Sequence, residues 1–296
     1  MKKIVFKGSG VAIVTPMNED GSVNYDTFEK LIEFQIKNKT DAIIVCGTTG
    51  ESATLSEDEH TNLIKFAVEK VAGRIPVIAG TGSNNTETAL KRSLKAQELG
   101  CDALLIVTPY YNKTSQAGLV EHYTYIANGV SLPIILYTVP SRTGVSIKPE
   151  TCLELSKHKN IVAIKEASGN ISDIAKIISL CGDNLNVYSG NDDQTLPIMS
   201  LGGLGVISVF ANICPLESHN ITKSFISGNL EKCRDMFLKA LDLMNMLFCD
   251  VNPIPVKEAL KIIGFNCGKC RLPLVSMNID LIEKLKMSIK NYENIK

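Results

Sequence analysis

Short runs of β-branched and aliphatic residues alternate along this chain with longer stretches whose apolar residues recur every three or four positions. The short runs predict strands at Val11–Thr15, Ala42–Cys46, Val77–Gly80, Ala103–Thr108, Ile134–Thr138, Val162–Lys165, Asn186–Ser189 and Val206–Val209. Between them the spacing predicts amphipathic helices, such as Tyr25–Asn38, Glu57–Ala72 and Thr86–Leu99. In the first of these, Phe28, Leu31, Ile32, Gln35 and Ile36 form one stripe suited to burial. Most of the strand runs are apolar at successive positions, as expected when both faces of a sheet are covered.

Strands that alternate with helices pair in parallel through right-handed crossovers. A closed barrel and an open doubly wound sheet both satisfy that rule. The count of eight favours the barrel. The open sheet would also more often show a Gly-x-Gly-x-x-Gly turn after its first strand, and here that strand runs into Thr15-Pro16-Met17-Asn18. The expected fold is therefore α/β, a (β/α)8 TIM barrel over residues 1–225. After the eighth strand only helical patterns remain, at Leu230–Phe248, Ala259–Ile263 and Ile279–Ile289. They predict a C-terminal helical extension, residues 226–296, packed on the barrel.

The chain has 296 residues, and one barrel needs about 250. Its 31 basic and 31 acidic residues cancel, which gives no support to nucleic-acid binding and leaves small molecules as the expected partners. The basic start, Met1-Lys2-Lys3-Ile4-Val5-Phe6-Lys7, has too short an apolar run for a signal peptide. No run approaches the roughly 20 residues of a membrane helix, so a cytoplasmic protein is expected. Nine scattered cysteines fit reduced thiols. Cys267 and Cys270 form a C-x-x-C pair, but a structural zinc site wants a second pair or a histidine pair, and His60, His122, His158 and His219 do not supply one.

In a barrel, chemistry sits at the C-terminal ends of the strands. Lys165 closes the apolar run Ile161-Val162-Ala163-Ile164. Lysine is rarely buried without a partner, and a desolvated amine attacks carbonyl carbons to form a Schiff base. The alternative is a lysine paired with a carboxylate, such as the adjacent Glu166. Tyr137 ends the neighbouring strand, where its phenol could move protons at a bound carbonyl or simply be a satisfied core hydroxyl. Thr48 and Thr49 lie between Gly47 and Gly50, a turn whose hydroxyls and N–H groups suit a carboxylate or merely cap the following helix. Arg142 is either a bidentate carboxylate grip or a solvated loop arginine. The glycines Gly202, Gly203 and Gly205 precede the eighth strand, so they belong on the face opposite any phosphate site.

Taken in order, Gly47-Thr48-Thr49-Gly50-Glu51, Tyr110-Tyr111, Tyr137 with Val139-Pro140-Ser141-Arg142-Thr143-Gly144, Lys165-Glu166-Ala167-Ser168-Gly169, Asn252-Pro253-Ile254-Pro255-Val256-Lys257 and Arg271-Leu272-Pro273 resemble the dihydrodipicolinate synthase family. The resemblance runs from about residue 8 to about residue 275. It implies a Schiff-base aldolase that condenses pyruvate with L-aspartate 4-semialdehyde to give 4-hydroxy-tetrahydrodipicolinate, with no metal or organic cofactor. Lys165 would form the imine. Tyr137, Thr48 and Tyr111 would form a proton relay, with Tyr111 reaching a neighbouring subunit's site in a homo-oligomer, a tetramer built from two dimers. Thr48 and Thr49 would hold the pyruvate carboxylate and Arg142 that of the aldehyde, while Gly190 and Ile207 would line the pocket through their backbones.

The family's pocket for feedback by L-lysine corresponds to Ser52, Ala53, His60, Asn84 and Tyr110. Glu57 stands where the lysine-sensitive pattern has a histidine, and Thr88 where it has a glutamate, so weak or absent inhibition is expected. Sister aldolases acting on N-acetylneuraminate or 2-keto-3-deoxy sugar acids share the lysine and the tyrosine. Arg142 and the Thr48–Thr49 pair favour the synthase over them. A barrel used only as a pyruvate sensor would have lost catalytic residues, and all of them are present.

Overall fold

The computed structural model describes residues 2–292; Met1 and residues 293–296, the outer ends of the two expected segments, lie outside them. Eight parallel strands close on themselves in chain order: β1 (Gly8–Ala12), β2 (Ala42–Val45), β3 (Val77–Gly80), β4 (Ala103–Val107), β5 (Ile134–Thr138), β6 (Ile161–Glu166), β7 (Asn186–Ser189) and β8 (Gly205–Ser208). The closed barrel is the architecture that the alternation favoured, and the open sheet is excluded. Seven strands, β8 included with its shift back by one, fall within one residue of expectation at each end, whereas β1 starts and ends three residues earlier than Val11–Thr15.

The shift at β1 has a steric cause. Gly8, Ser9 and Gly10 have little strand propensity, yet all three pair with β8, and Gly10 pairs with β2 as well. A Cβ on Gly10 would lie 2.8 Å from side-chain atoms of Phe6 and Ile44, so a larger residue there would have to displace them. Gly205, at the start of β8, is held against Gly8 in the same way, its φ of +148° favouring glycine. These glycines therefore pack the N-terminal end of the barrel, where Phe6 stacks on Tyr188 with ring centroids 4.5 Å apart.

Along each strand the side chains alternate between two apolar layers. Ile134 and Leu136 face the surrounding helices, whereas Ile135 and Tyr137 join Ile44, Ile78, Leu105 and Ile207 inside the barrel. Between β5 and β6 the register shifts: Ile134 pairs with Ile161, but Ile135 pairs with Ala163. Val162 is the extra residue. A slip of one residue exchanges the two faces of a strand, so this irregularity sets Lys165 inward, level with Tyr137, and Glu166 outward.

The surrounding helices are capped as their sequences suggest. Asn24, Asn85 and Ser115 each accept a backbone N–H at the start of a helix, and Ser56 with Glu59 makes a reciprocal capping box on helix Glu57–Val71. After β8 come helices Pro215–Ile226, Leu230–Met246, Ile254–Ile262 and Ile279–Asn291. The third of these begins five residues before the expected Ala259, because a proline in the first turn gives up only an N–H that lacks a partner there. Among the described residues no helix is long and apolar enough to cross a membrane.

Candidate active site

Lys165 and Tyr137 are Cα neighbours across the β5–β6 ladder. They are 5% and 6% exposed, and the Lys165 Nζ lies 4.4 Å from the centre of the Tyr137 ring. The partner that sequence reasoning left open, Glu166, points the other way. Its Oε2 accepts from the Ser168 N and Oγ at 3.0 and 2.8 Å, and burial raises its carboxyl above the usual range. Among the described residues Lys165 takes part in no ion pair. The site thus holds a buried amine over an aromatic face, without an ion pair among the described residues, and with the buried Asp192 carboxyl near enough to feel its charge.

The loops at the strand ends close around this pair. Thr48 shares a cavity with Tyr137, walled by Gly80, Leu105 and Val107. Gly47 to Glu51 form a tight turn in which Glu51 N–H donates to the Thr48 carbonyl at 3.1 Å, and Glu51 adopts a left-handed φ of +56°. Gly190 approaches from β7: a Cβ there would stand 3.1 Å from the Lys165 Cε and 2.6 Å from the Ala167 Cβ. Ile207 belongs to the inner core with Tyr137, fully buried.

The remaining candidates lie farther out. Arg142 is exposed on the short helix Pro140–Thr143 and donates from Nη2 to the Asn252 carbonyl at 3.1 Å. Tyr111 is 91% exposed with φ +70°, so within one chain it does not join the cavity.

The positions matched to the feedback pocket meet one wall of this cavity. Ser52 lines it directly. The buried His60 donates from Nε2 to the Gly80 carbonyl at 2.8 Å, and burial lowers its imidazole pKa. The Asn84 carbonyl accepts from Asn112 Nδ2 at 3.0 Å. Ala53 is exposed and Tyr110 half-buried. Glu57 is not free here: Arg92 Nε donates to both of its carboxylate oxygens at 3.1 Å, which holds the carboxyl below its ordinary value.

Sequence reasoning missed Arg92 and three residues of the turn and the extension. Lys257 Nζ donates to Glu51 Oε1 at 2.8 Å, to the Thr15 carbonyl at 3.2 Å and to the Lys269 carbonyl at 3.0 Å. Asn252 Nδ2 donates to Thr49 Oγ1 at 3.0 Å. The motif Asn252-Pro253-Ile254-Pro255-Val256-Lys257 was the available signal, but no spacing rule says that it folds back onto a turn two hundred residues earlier. Cys267 and Cys270 sit on this return. Among the described residues no cluster of three or more His, Cys, Asp or Glu side chains could hold a metal.

A family model described as the dihydrodipicolinate synthetase family matches residues 5–292. This chain belongs to that family. It is 58% identical over 293 residues to the 4-hydroxy-tetrahydrodipicolinate synthase of Thermoanaerobacter sp. (strain X514), covering 99% of this chain and 98% of that one. It is 56% identical over 288 residues to the enzyme of the same name from Caldicellulosiruptor bescii, covering 97% of each. Among solved structures, the chloride-inhibited dihydrodipicolinate synthase of Acinetobacter baumannii in complex with pyruvate superposes with a TM-score of 0.96 at 43% identity, over 98% of this chain and 99% of that one.

Proposed function

We propose that this protein is a lyase that condenses pyruvate with L-aspartate 4-semialdehyde to give 4-hydroxy-tetrahydrodipicolinate, a step of lysine and diaminopimelate biosynthesis. The observation that carries the reading is the buried, ion-pair-free Lys165 beside Tyr137 in a barrel whose relatives bear that name. The motif positions shared with the synthase, Arg142 and the Thr48–Thr49 turn, favour it over the sugar-acid aldolases.

In this reading the Lys165 amine adds to C2 of pyruvate and water leaves, giving an iminium. Loss of a proton from C3 gives an enamine, whose C3 attacks the aldehyde carbon. The substrate's own amino group then closes the ring on C2 and releases Lys165. The Tyr137 hydroxyl, with Thr48, carries protons to and from these oxygens, and Tyr111 of a neighbouring copy completes the relay. Thr48 and Thr49 hold the keto-acid carboxylate. Arg142 takes the aldehyde's carboxylate, and the backbones of Gly190 and Ile207 shape the pocket. The lysine itself is the electron sink, so the reaction needs no metal or organic cofactor.

The exposed, left-handed Tyr111 supports assembly as a homo-oligomer, which we take to be a dimer of dimers. A cytoplasmic location belongs to the same reading and is supported by nine free cysteines. So does a catalytic unit with its domain boundary at residues 225 and 226. Borohydride reduction in the presence of pyruvate tests the chemistry: Lys165 acquires the reduced adduct, and an unlabelled Lys165 overturns the proposal. Mixing a Lys165→Ala protein with a Tyr111→Phe protein tests the assembly, because hybrids regain partial activity only when the tyrosine acts across subunits.

A further inference from the structure

The extension reaches the barrel mouth at one residue that touches both expected carboxylate sites. Asn252 is 6% exposed and precedes helix Ile254–Ile262. Its Nδ2 donates to Thr49 Oγ1, and its backbone carbonyl accepts from Arg142 Nη2. Its own Oδ1 is buried without a partner among the described residues. Buried polar atoms are nearly always paired, so this amide is held where one end is satisfied at the expense of the other.

The direction of the satisfied bond matters. An amide N–H can only donate, so Thr49 Oγ1 accepts and keeps its own proton to give. Among the described residues Thr49 Oγ1 donates to nothing. Its hydrogen is therefore available to an incoming anion. The Asn252 carbonyl likewise takes one N–H of the Arg142 fork and leaves the others for a second anion.

On the functional reading above, we infer that Asn252 is a positioning residue that aligns Thr49 toward the pyruvate carboxylate and Arg142 toward the aldehyde's carboxylate. It contacts neither substrate. The extension thereby sets the distance between the two carboxylates that the reaction must bring together.

The test is the pyruvate concentration that gives half-maximal borohydride labelling of Lys165, measured without aldehyde, beside the steady-state KM for the aldehyde. Asn252→Ala removes the amide but keeps the backbone carbonyl that Arg142 uses, so it raises the pyruvate value by about tenfold, the scale of one lost hydrogen bond, and leaves the aldehyde KM within about twofold. Asn252→Asp keeps the shape but accepts the Thr49 proton and adds a negative charge, so it raises the pyruvate value further. In a Thr49→Val background, Asn252→Ala no longer changes the pyruvate value. A residue that only stabilised the fold would not show this split. Circular dichroism and thermal melting confirm that each variant is folded, and the near-isosteric Asn252→Asp carries the test should Asn252→Ala not fold. If wild-type Lys165 labels with pyruvate but the Asn252 variants leave half-saturation unchanged, or their effect adds fully to Thr49→Val, the inference falls and the functional reading stands. If wild-type Lys165 does not label, the functional reading itself falls.

Discussion

Lys165 and Lys257 are both almost sealed from solvent, at 5% and 3% exposure, and each stands beside a functional turn. Lys257 spends all three of its N–H donors, on the Glu51 carboxylate and the carbonyls of Thr15 and Lys269. The other Glu51 oxygen accepts from Arg271 N–H at 2.8 Å. Lys165 makes no hydrogen bond or ion pair among the described residues, and its Nζ stands over the face of Tyr137. Burial alone does not distinguish a structural lysine from a reactive one; the number of partners does. The fully partnered ammonium of Lys257 ties together four segments of chain. The Lys165 nitrogen, with no hydrogen-bond partner among the described residues, is the one left for a carbonyl substrate.

The contrast breaks first at Lys165. Lys165→Ala and Lys165→Arg are each expected to lower turnover by more than about a thousandfold, because arginine keeps a charge but forms no imine. Their thermal midpoints should stay within a few degrees of the parent, since no ion pair is lost. Lys257→Met should do the reverse and cost stability. It leaves the Glu51 carboxylate buried and uncompensated, a loss of about 3–5 kcal/mol by denaturant unfolding. Adding Glu51→Gln to that variant should recover part of the loss, because the stranded charge is then gone.

Tyr137 sharpens the comparison from the other side. Tyr137→Phe keeps the ring beside Lys165 but removes the hydroxyl. It should reduce kcat roughly a hundredfold, the scale of a lost general acid–base group, while pyruvate labelling of Lys165 continues at a lower rate.

The half-buried counterpart of the Lys257 pair is Arg271 with Glu59, joined through Nη1 to Oε2 at 2.7 Å. The Arg271 guanidinium pulls the Glu59 carboxyl down to about 2, against about 4.3 in an unfolded chain. The pair therefore stabilises the fold fully above the unfolded value and loses that contribution as the pH falls toward 2. Thermal melts between pH 6 and pH 2 should show this acid-sensitive component, and Arg271→Met should remove it. The effect is modest because the pair is partly solvated.

The smallest expected response is to free L-lysine. Arg92 already pairs with Glu57 beside the positions matched to the family's feedback pocket, and Thr88 supplies no carboxylate for an incoming ammonium. Millimolar L-lysine should change activity less than about twofold, given that a missing charge partner typically costs 2–5 kcal/mol of binding. A Thr88→Glu, Glu57→His double variant should gain sensitivity. Strong cooperative inhibition of the unmodified protein would contradict this.

Much of this was legible in the chain because strand ends carry chemistry in a barrel. Lys165 and Tyr137 stood out as polar residues ending apolar runs, and the structure makes them neighbours. What periodicity could not reveal was pairing between distant segments. The extra residue at Val162 sets the face on which Lys165 lies, yet it is visible only against β5. Glu51 and Lys257 are joined across the length of the chain, and so are Thr49 and Asn252. Arg92 lies on helix Thr86–Glu98, and only the fold sets it against Glu57. The start of β1 was misplaced because its glycines answer to the atoms of Phe6 and Ile44, not to local propensity.

One labelling measurement bears directly on the contrast between the two lysines. The protein is reduced with borohydride in the presence of pyruvate, digested, and mapped by mass spectrometry at both Lys165 and Lys257. The expected result is stoichiometric adduct on Lys165 and none on Lys257, with labelling abolished in Lys165→Ala. Adduct on Lys257, or undiminished labelling of the Lys165→Ala protein, would contradict the claim that the unpartnered buried lysine is the reactive one.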